Sequence, residues 1–149
     1  MRSLTLLGSG YVLAILCVPA WFLLRRRGHP LARVLPAVVV GAFLLNALTK
    51  WLVSRPRPRQ TSYGFPSGHT LGAVIFFGGV IYVLWTSEVG RVWRWVGTVV
   101  SCLLIAGIAG SRLYLNVHWL SDVAGGLTGG AAYLLFVLLA LDRRRSRAT

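Results

Sequence analysis

The chain has 149 residues, 56% of them hydrophobic, and sixteen Lys and Arg against three Asp and Glu give it a net charge of +13. So apolar a chain is not an ordinary soluble domain, and its apolar runs of spanning length exclude a basic nucleic-acid-binding domain. The charge reads instead as membrane topology together with an anionic ligand.

A membrane-crossing helix needs roughly 20 mostly apolar residues. Five segments qualify, at about 4–24, 34–53, 70–86, 95–111 and 119–141. The expected fold is therefore all-α: a polytopic transmembrane helical bundle of about five spans, forming one integral membrane domain over 1–149. The first segment is preceded only by Arg2, lacks a small-x-small cleavage site and is stopped by Arg25, Arg26 and Arg27. It reads as a retained helix and not as a secretion signal. Cys17 and Cys102 fall inside apolar segments, where a cysteine is a small hydrophobe, so no disulfide framework is expected.

The second segment closes on Lys50 and runs into "KWLVSRPRP" at 50–58. Its prolines stop the helix and leave a stiff, extended stretch that can hold Arg57 beside Lys50. Before the third segment stands "GFPSGHT" at 64–70. Ser67 suits a helix N-cap, Gly68 lets the backbone approach a ligand, and the helix amides favour an anion. His69 then falls in the first turn. Between the fourth and fifth segments lies "SRLYLNVHWLSD" at 111–122. With the fifth helix beginning near His118, His118 and Asp122 are four residues apart on one helical face. Asp122 then accepts a hydrogen bond from one ring nitrogen, fixes the tautomer and leaves the other nitrogen nucleophilic. The plainer alternative is a capping pair with Asp122 at a helix amino terminus; it leaves Arg112 and the other two segments unexplained. In the fifth segment the GGxxGG run at 125–130 permits close helix packing, within the bundle before between subunits.

Orientation follows from the connections. The 25–33 and 87–95 loops and the tail after 141 carry ten of the sixteen cations, including Arg33, Arg91, Arg94, Arg143, Arg144, Arg145 and Arg147. The other six are Arg2, Lys50, Arg55, Arg57, Arg59 and Arg112. By the positive-inside rule the amino terminus is outside and the carboxyl terminus cytoplasmic. The six tryptophans stand near span ends, where amphipathic rings settle. Lys50, Arg57, Ser67, Gly68, His69, Arg112, His118 and Asp122 all map to the outer side. Three cations, a helix amino terminus and two histidines suit a doubly charged phosphate and the charge-stabilised chemistry of phosphoryl transfer.

Lys50-x6-Arg57-Pro58, Pro66-Ser67-Gly68-His69 and Ser111-Arg112-x5-His118-x3-Asp122 together resemble the three-part signature of the type 2 phosphatidic acid phosphatase superfamily. The resemblance covers about residues 45–141, which it marks as the catalytic core, with 142–149 a basic cytoplasmic tail. Members are α-helical, metal-independent phosphatases whose membrane forms usually have six spans, so five is a departure. The resemblance implies that His118 is the nucleophile and becomes a phosphohistidine, with Asp122 orienting it. It implies that His69 protonates the leaving oxygen and later activates water. Lys50, Arg57 and Arg112 match the phosphate-binding cations, and Ser67 and the Gly68 amide the remaining donors. No metal and no cofactor are expected, since only Asp122 among the three acids lies on that side and a carboxylate-bridged two-metal site cannot be built.

The expected partners are the bilayer and a lipid phosphate or diphosphate, such as polyprenyl diphosphate, phosphatidate or phosphatidylglycerol phosphate. No nucleic acid is expected, and a homo-oligomer is left open. The expected location is a bacterial inner membrane, with the site on the extracytoplasmic side. Two alternatives stand beside the phosphatase: a lipid phosphotransferase using the same intermediate, and a non-catalytic lipid-binding membrane subunit.

Overall fold

The computed structural model describes residues 2–58 and 62–146, and its secondary structure is helical. Six helices follow in order: α1 (Arg2–Leu7), α2 (Gly10–Arg26), α3 (Leu31–Val53), α4 (Gly68–Thr86), α5 (Arg91–Tyr114) and α6 (Leu120–Ser146). Four are long and apolar enough to cross a membrane: α3, α4, α5 and the Leu120–Arg143 part of α6. The protein is an integral membrane protein of the expected all-α class.

The expected first span is corrected. Instead of one helix over 4–24, the chain breaks at Gly8 and Ser9, and Ser9 caps α2 by accepting a hydrogen bond from the Val12 amide at 3.3 Å. The 17 residues of α2 span about 25 Å at ~1.5 Å per residue, short of a hydrocarbon core of ~30 Å. Even so, α2 runs beside α4 in the same direction: Gly8 abuts His69, Leu13 reaches Gly72, and Leu24 packs near Val83.

α4 is the central helix and packs chiefly on α6 and α5. The glycine run on α6 makes this possible inside the bundle. A Cβ at Gly126 would lie 2.8 Å from the Ser67 carbonyl oxygen, and one at Gly130 would lie 3.0 Å from that of Leu71. Leu71, Ala73, Ile108, Val123 and Leu134 fill the interior, whereas Tyr11, Leu44, Trp93, Leu103 and Phe136 point outward. An apolar exterior costs nothing in lipid, so close packing and polar contacts must hold such a bundle together.

The connections place the functional segments. α3 ends at Val53, with Ser54 in the left-handed region (φ 47°) ahead of Arg55 and Pro56. α5 stops at a Schellman turn: Asn116 takes φ 52°, its amide donates to the Leu113 carbonyl at 2.8 Å, and the Val117 amide donates to that of Arg112 at 3.2 Å. The ends of α3 and α5 and the starts of α4 and α6 therefore share one end of the bundle. Glu88 and Asp142 lie at the other end, with Arg25, Arg91 and Arg94. Arg59 and Arg147, and the side chains of Arg2, Arg144 and Arg145, fall outside the described part.

Candidate active site

The site begins at the entry to α6. His118 lies two residues before α6, which starts at Leu120. The pair therefore meets across the helix cap and not along a helical face. His118 Nδ1 lies 3.2 Å from Asp122 Oδ2, and the Trp119 amide donates to the same oxygen at 3.0 Å. The second contact is one arm of a capping box, with the acid at the third helical position. One oxygen of Asp122 therefore both caps the helix and meets the His118 ring. A carboxylate acceptor places the ring proton on Nδ1 and leaves Nε2 with its lone pair.

Both residues are buried, Asp122 completely. Burial pushes the His118 pKa down from 6.5 to about 4; the Asp122 hydrogen bond opposes this, and the Arg57 and Arg112 charges add to it. His118 is therefore a neutral imidazole at neutral pH.

The Asp122 backbone carbonyl accepts from the Ser67 amide at 2.9 Å, joining α6 to the entry of α4. Ser67 occupies the N-cap position of α4 as expected, but its side chain caps nothing. Instead its hydroxyl accepts from Thr70 Oγ1 at 3.0 Å. The first amides of α4 keep no intrahelical acceptor, which is the arrangement that binds anions.

Residues 54–58 and 62–66 lie over this entry, with Pro56 and Tyr63 bridged and a cis Phe65–Pro66 peptide. Lys50 Nζ donates to the Pro66 carbonyl at 2.9 Å and to that of Tyr63 at 3.3 Å. Arg57 Nε donates to the same Tyr63 carbonyl at 3.2 Å, so one oxygen holds the two cations side by side. Gly64 is required by close approach: a Cβ there would lie 2.9 Å from Asp122 Oδ2. Arg112, only 7% exposed, comes from the last turn of α5. Its charge acts on His69 together with those of Lys50 and Arg57.

Three residues near this site escape sequence reasoning. Arg55 Nη1 donates to Ser121 Oγ at 2.7 Å and lies 3.8 Å from Asp122 Oδ1, while its guanidinium lies over the Trp119 ring. Asn46 stands one helical turn before Lys50, with its buried Oδ1 unbonded among the described residues and its amide against Gly68. A polar residue within a membrane span is a signal that could have found it. Thr5, bonded to Arg112, left no signal at all.

A cavity of about 480 Å³ opens from Lys50, Arg57 and His69 and runs between α2, α3 and α4. It passes Gly72 and Gly79 to Val83, with walls that are apolar beyond Asn46. Its volume suits a small-molecule site. Among the described residues no three His, Cys, Asp or Glu side chains gather, so this end offers no ligand set for a hard divalent cation.

Residues 30–146 match the PAP2 superfamily. The chain is similar to a lipid phosphate phosphatase delta of Arabidopsis thaliana, 34% identical over 72% of this chain and 30% of that protein. It is 29% identical to an undecaprenyl-diphosphatase of Sulfolobus acidocaldarius over 73% of this chain and 54% of the relative. With phosphatidylglycerophosphatase B of Bacillus subtilis it shares 31% identity over 70% of this chain and 54% of the relative. The chain thus spans about half the length, or less, of these relatives. The crystal structure of a transmembrane PAP2 type phosphatidylglycerolphosphate phosphatase from Bacillus subtilis superimposes with a TM-score of 0.81 at 25% identity, covering 96% of this chain and 75% of that one.

Proposed function

Because the chain belongs to the PAP2 superfamily, we propose that it is a lipid phosphate phosphatase whose site consists of Lys50, Arg57, Ser67, Gly68, His69, Arg112, His118 and Asp122. The observation that carries this reading is the buried His118, its Nδ1 3.2 Å from Asp122 Oδ2, with the Arg57 and Arg112 charges acting on the ring. A neutral imidazole with its Nδ1–H engaged by a carboxylate is a nucleophile at Nε2. Lys50, Arg57, Arg112 and the Gly68 amide take the phosphate oxygens. Nε2 then attacks phosphorus as the bond to the leaving oxygen breaks, and His69 gives that oxygen its proton. The bound dianion itself favours the protonated His69. In the second step His69 takes a proton from water, the hydroxide displaces His118 from phosphorus, and phosphate leaves. Three cations supply the charge stabilisation that metal ions supply elsewhere, so the reaction needs no metal.

The apolar cavity behind the cations supports a lipid substrate: phosphate at Lys50 and His69, tail between α2, α3 and α4. The relatives' names support a polyprenyl diphosphate or a phosphatidylglycerol phosphate. The site faces the extracytoplasmic side of a bacterial inner membrane, with the amino terminus outside. The arginine-rich ends support this direction, and the course of α2 beside α4 supports reading α2 as a short fifth crossing.

The test is phosphate release from a panel of lipid phosphates by the purified protein, with chelator present. Wild type should turn over, and His118→Ala should lose at least ~10³-fold in kcat. Retained turnover in that variant would sink the nucleophile assignment. Chelator-sensitive wild type would sink the metal-free mechanism. Phosphate appearing on a second lipid and not in solution would make the protein a transferase.

A further inference from the structure

α1 is six residues long and lies outside the region that matches the PAP2 superfamily, yet it packs on α5 at the site. Gly8 sets that approach. A Cβ there would lie 2.5 Å from Ile108 Cγ2 and 3.4 Å from His69 Cβ, so a side chain at this position would force Ile108 or α1 to shift.

The approach delivers Thr5 to Arg112. Arg112 Nη1 donates to Thr5 Oγ1 at 2.6 Å, and the Thr5 and Ser111 hydroxyls are 3.1 Å apart. Ser111 Oγ donates its single proton to the Ile108 carbonyl at 2.7 Å. Thr5 Oγ1 thus accepts from Arg112 Nη1, and its contact with Ser111 Oγ ties it to the end of α5. The result is a line of contacts joining the Arg112 guanidinium through Thr5 and Ser111 to the α5 backbone. It fixes one corner of a planar fork whose orientation decides how it meets an anion. Nε of the same guanidinium is buried without a partner among the described residues. A buried N–H left without an acceptor is costly and marks the side from which an acceptor is missing.

We propose that Thr5 is a positioning residue: it holds Arg112 by Nη1 so that the Nε side of the guanidinium is presented to the substrate phosphate. The amino-terminal helix thereby completes the phosphate site. This inference rests on the reading of Arg112 as a phosphate ligand. It predicts that the effect of Thr5 is one of anion affinity, made through Arg112 alone.

The experiment compares Thr5→Val, which keeps the shape and removes the acceptor, with Thr5→Ser, which restores it. Inhibition by inorganic phosphate and the split between KM and kcat are read for each, and thermal unfolding in detergent reports folding. Thr5→Val should weaken phosphate inhibition and raise KM by about tenfold, with a smaller change in kcat. Thr5→Ser should match wild type. In an Arg112→Lys background, Thr5→Val should add little. An unaltered Thr5→Val, beside an Arg112→Ala that has lost phosphate inhibition, overturns the inference and leaves Arg112 standing. So does a Thr5→Val effect of equal size in the Arg112→Lys background, which would mark a merely structural role. Undiminished phosphate inhibition in Arg112→Ala would overturn the reading of Arg112 itself, and the inference with it.

Discussion

Asp122 places both its carboxylate and its backbone carbonyl in the site. Oδ2 accepts from the Trp119 amide and meets His118 Nδ1, and the carbonyl takes the Ser67 amide. Its surroundings set the protonation of His118, which leads to a test by pH. The unfolded chain takes up the His118 proton near 6.5, and the folded chain takes it up only near 4. Between these values the unfolded state binds more protons, so this group's contribution to stability is full above pH 6.5 and is lost as pH falls towards 4. In ring-labelled, substrate-free protein, the histidine signal that disappears in His118→Asn should titrate near pH 4 and not near 6.5. A midpoint at the ordinary histidine value would contradict a buried, neutral His118. The residue types and spacing of this pair are legible in the sequence. Capping by Asp122 is legible too, as the plainer alternative; that the Trp119 amide is its partner is not, because that depends on the helix starting two residues after His118.

The unit that matters among the elements is the α4–α6 contact. It sets Ser67 against Asp122, and glycine is what allows it. A Cβ at Gly126 would press on the Ser67 carbonyl oxygen at 2.8 Å and the Thr70 Cβ at 2.9 Å, both at the entry of α4. Backbone cannot yield as a flexible side chain does. Gly126→Ala should therefore destabilise by about 1–3 kcal/mol despite the better helix propensity of alanine, and should lower activity beyond the loss of folded protein. Thermal unfolding and kcat/KM of the folded fraction check both effects. That small residues pack tightly is readable from GGxxGG. Which helix they meet is not, since any apolar helix of this chain satisfies the same pattern.

For the molecule as a whole, the polar end and the apolar cavity form one continuous space. Gly79 lines it ten residues beyond His69, a distance of about 15 Å along α4 at ~1.5 Å per residue. A Cβ at Gly79 would meet nothing within 4 Å. Gly79→Leu should therefore fold at least as well as wild type, with a gain of up to about 1 kcal/mol from helix propensity. It should also raise KM for long-tailed lipid phosphates while sparing a water-soluble phosphate ester. Equal effects on both substrates, measured side by side, would show that the tail does not lie in this cavity.

The sequence by itself determined the helical class, four of the spans and the sharing of one end by Lys50, Arg57, His69, Arg112, His118 and Asp122. These follow from apolar run lengths, prolines, glycines and charge, which are read in order along the chain. The sequence did not show the break at Gly8–Ser9, because mean hydropathy over 4–24 does not register a two-residue interruption. Only the tertiary structure decided that Thr5 meets Arg112, that Arg55 approaches Asp122, and that a cavity leads from the cations between α2, α3 and α4. Such contacts join residues up to 107 positions apart. They depend on how whole helices pack, which no local pattern of residues encodes.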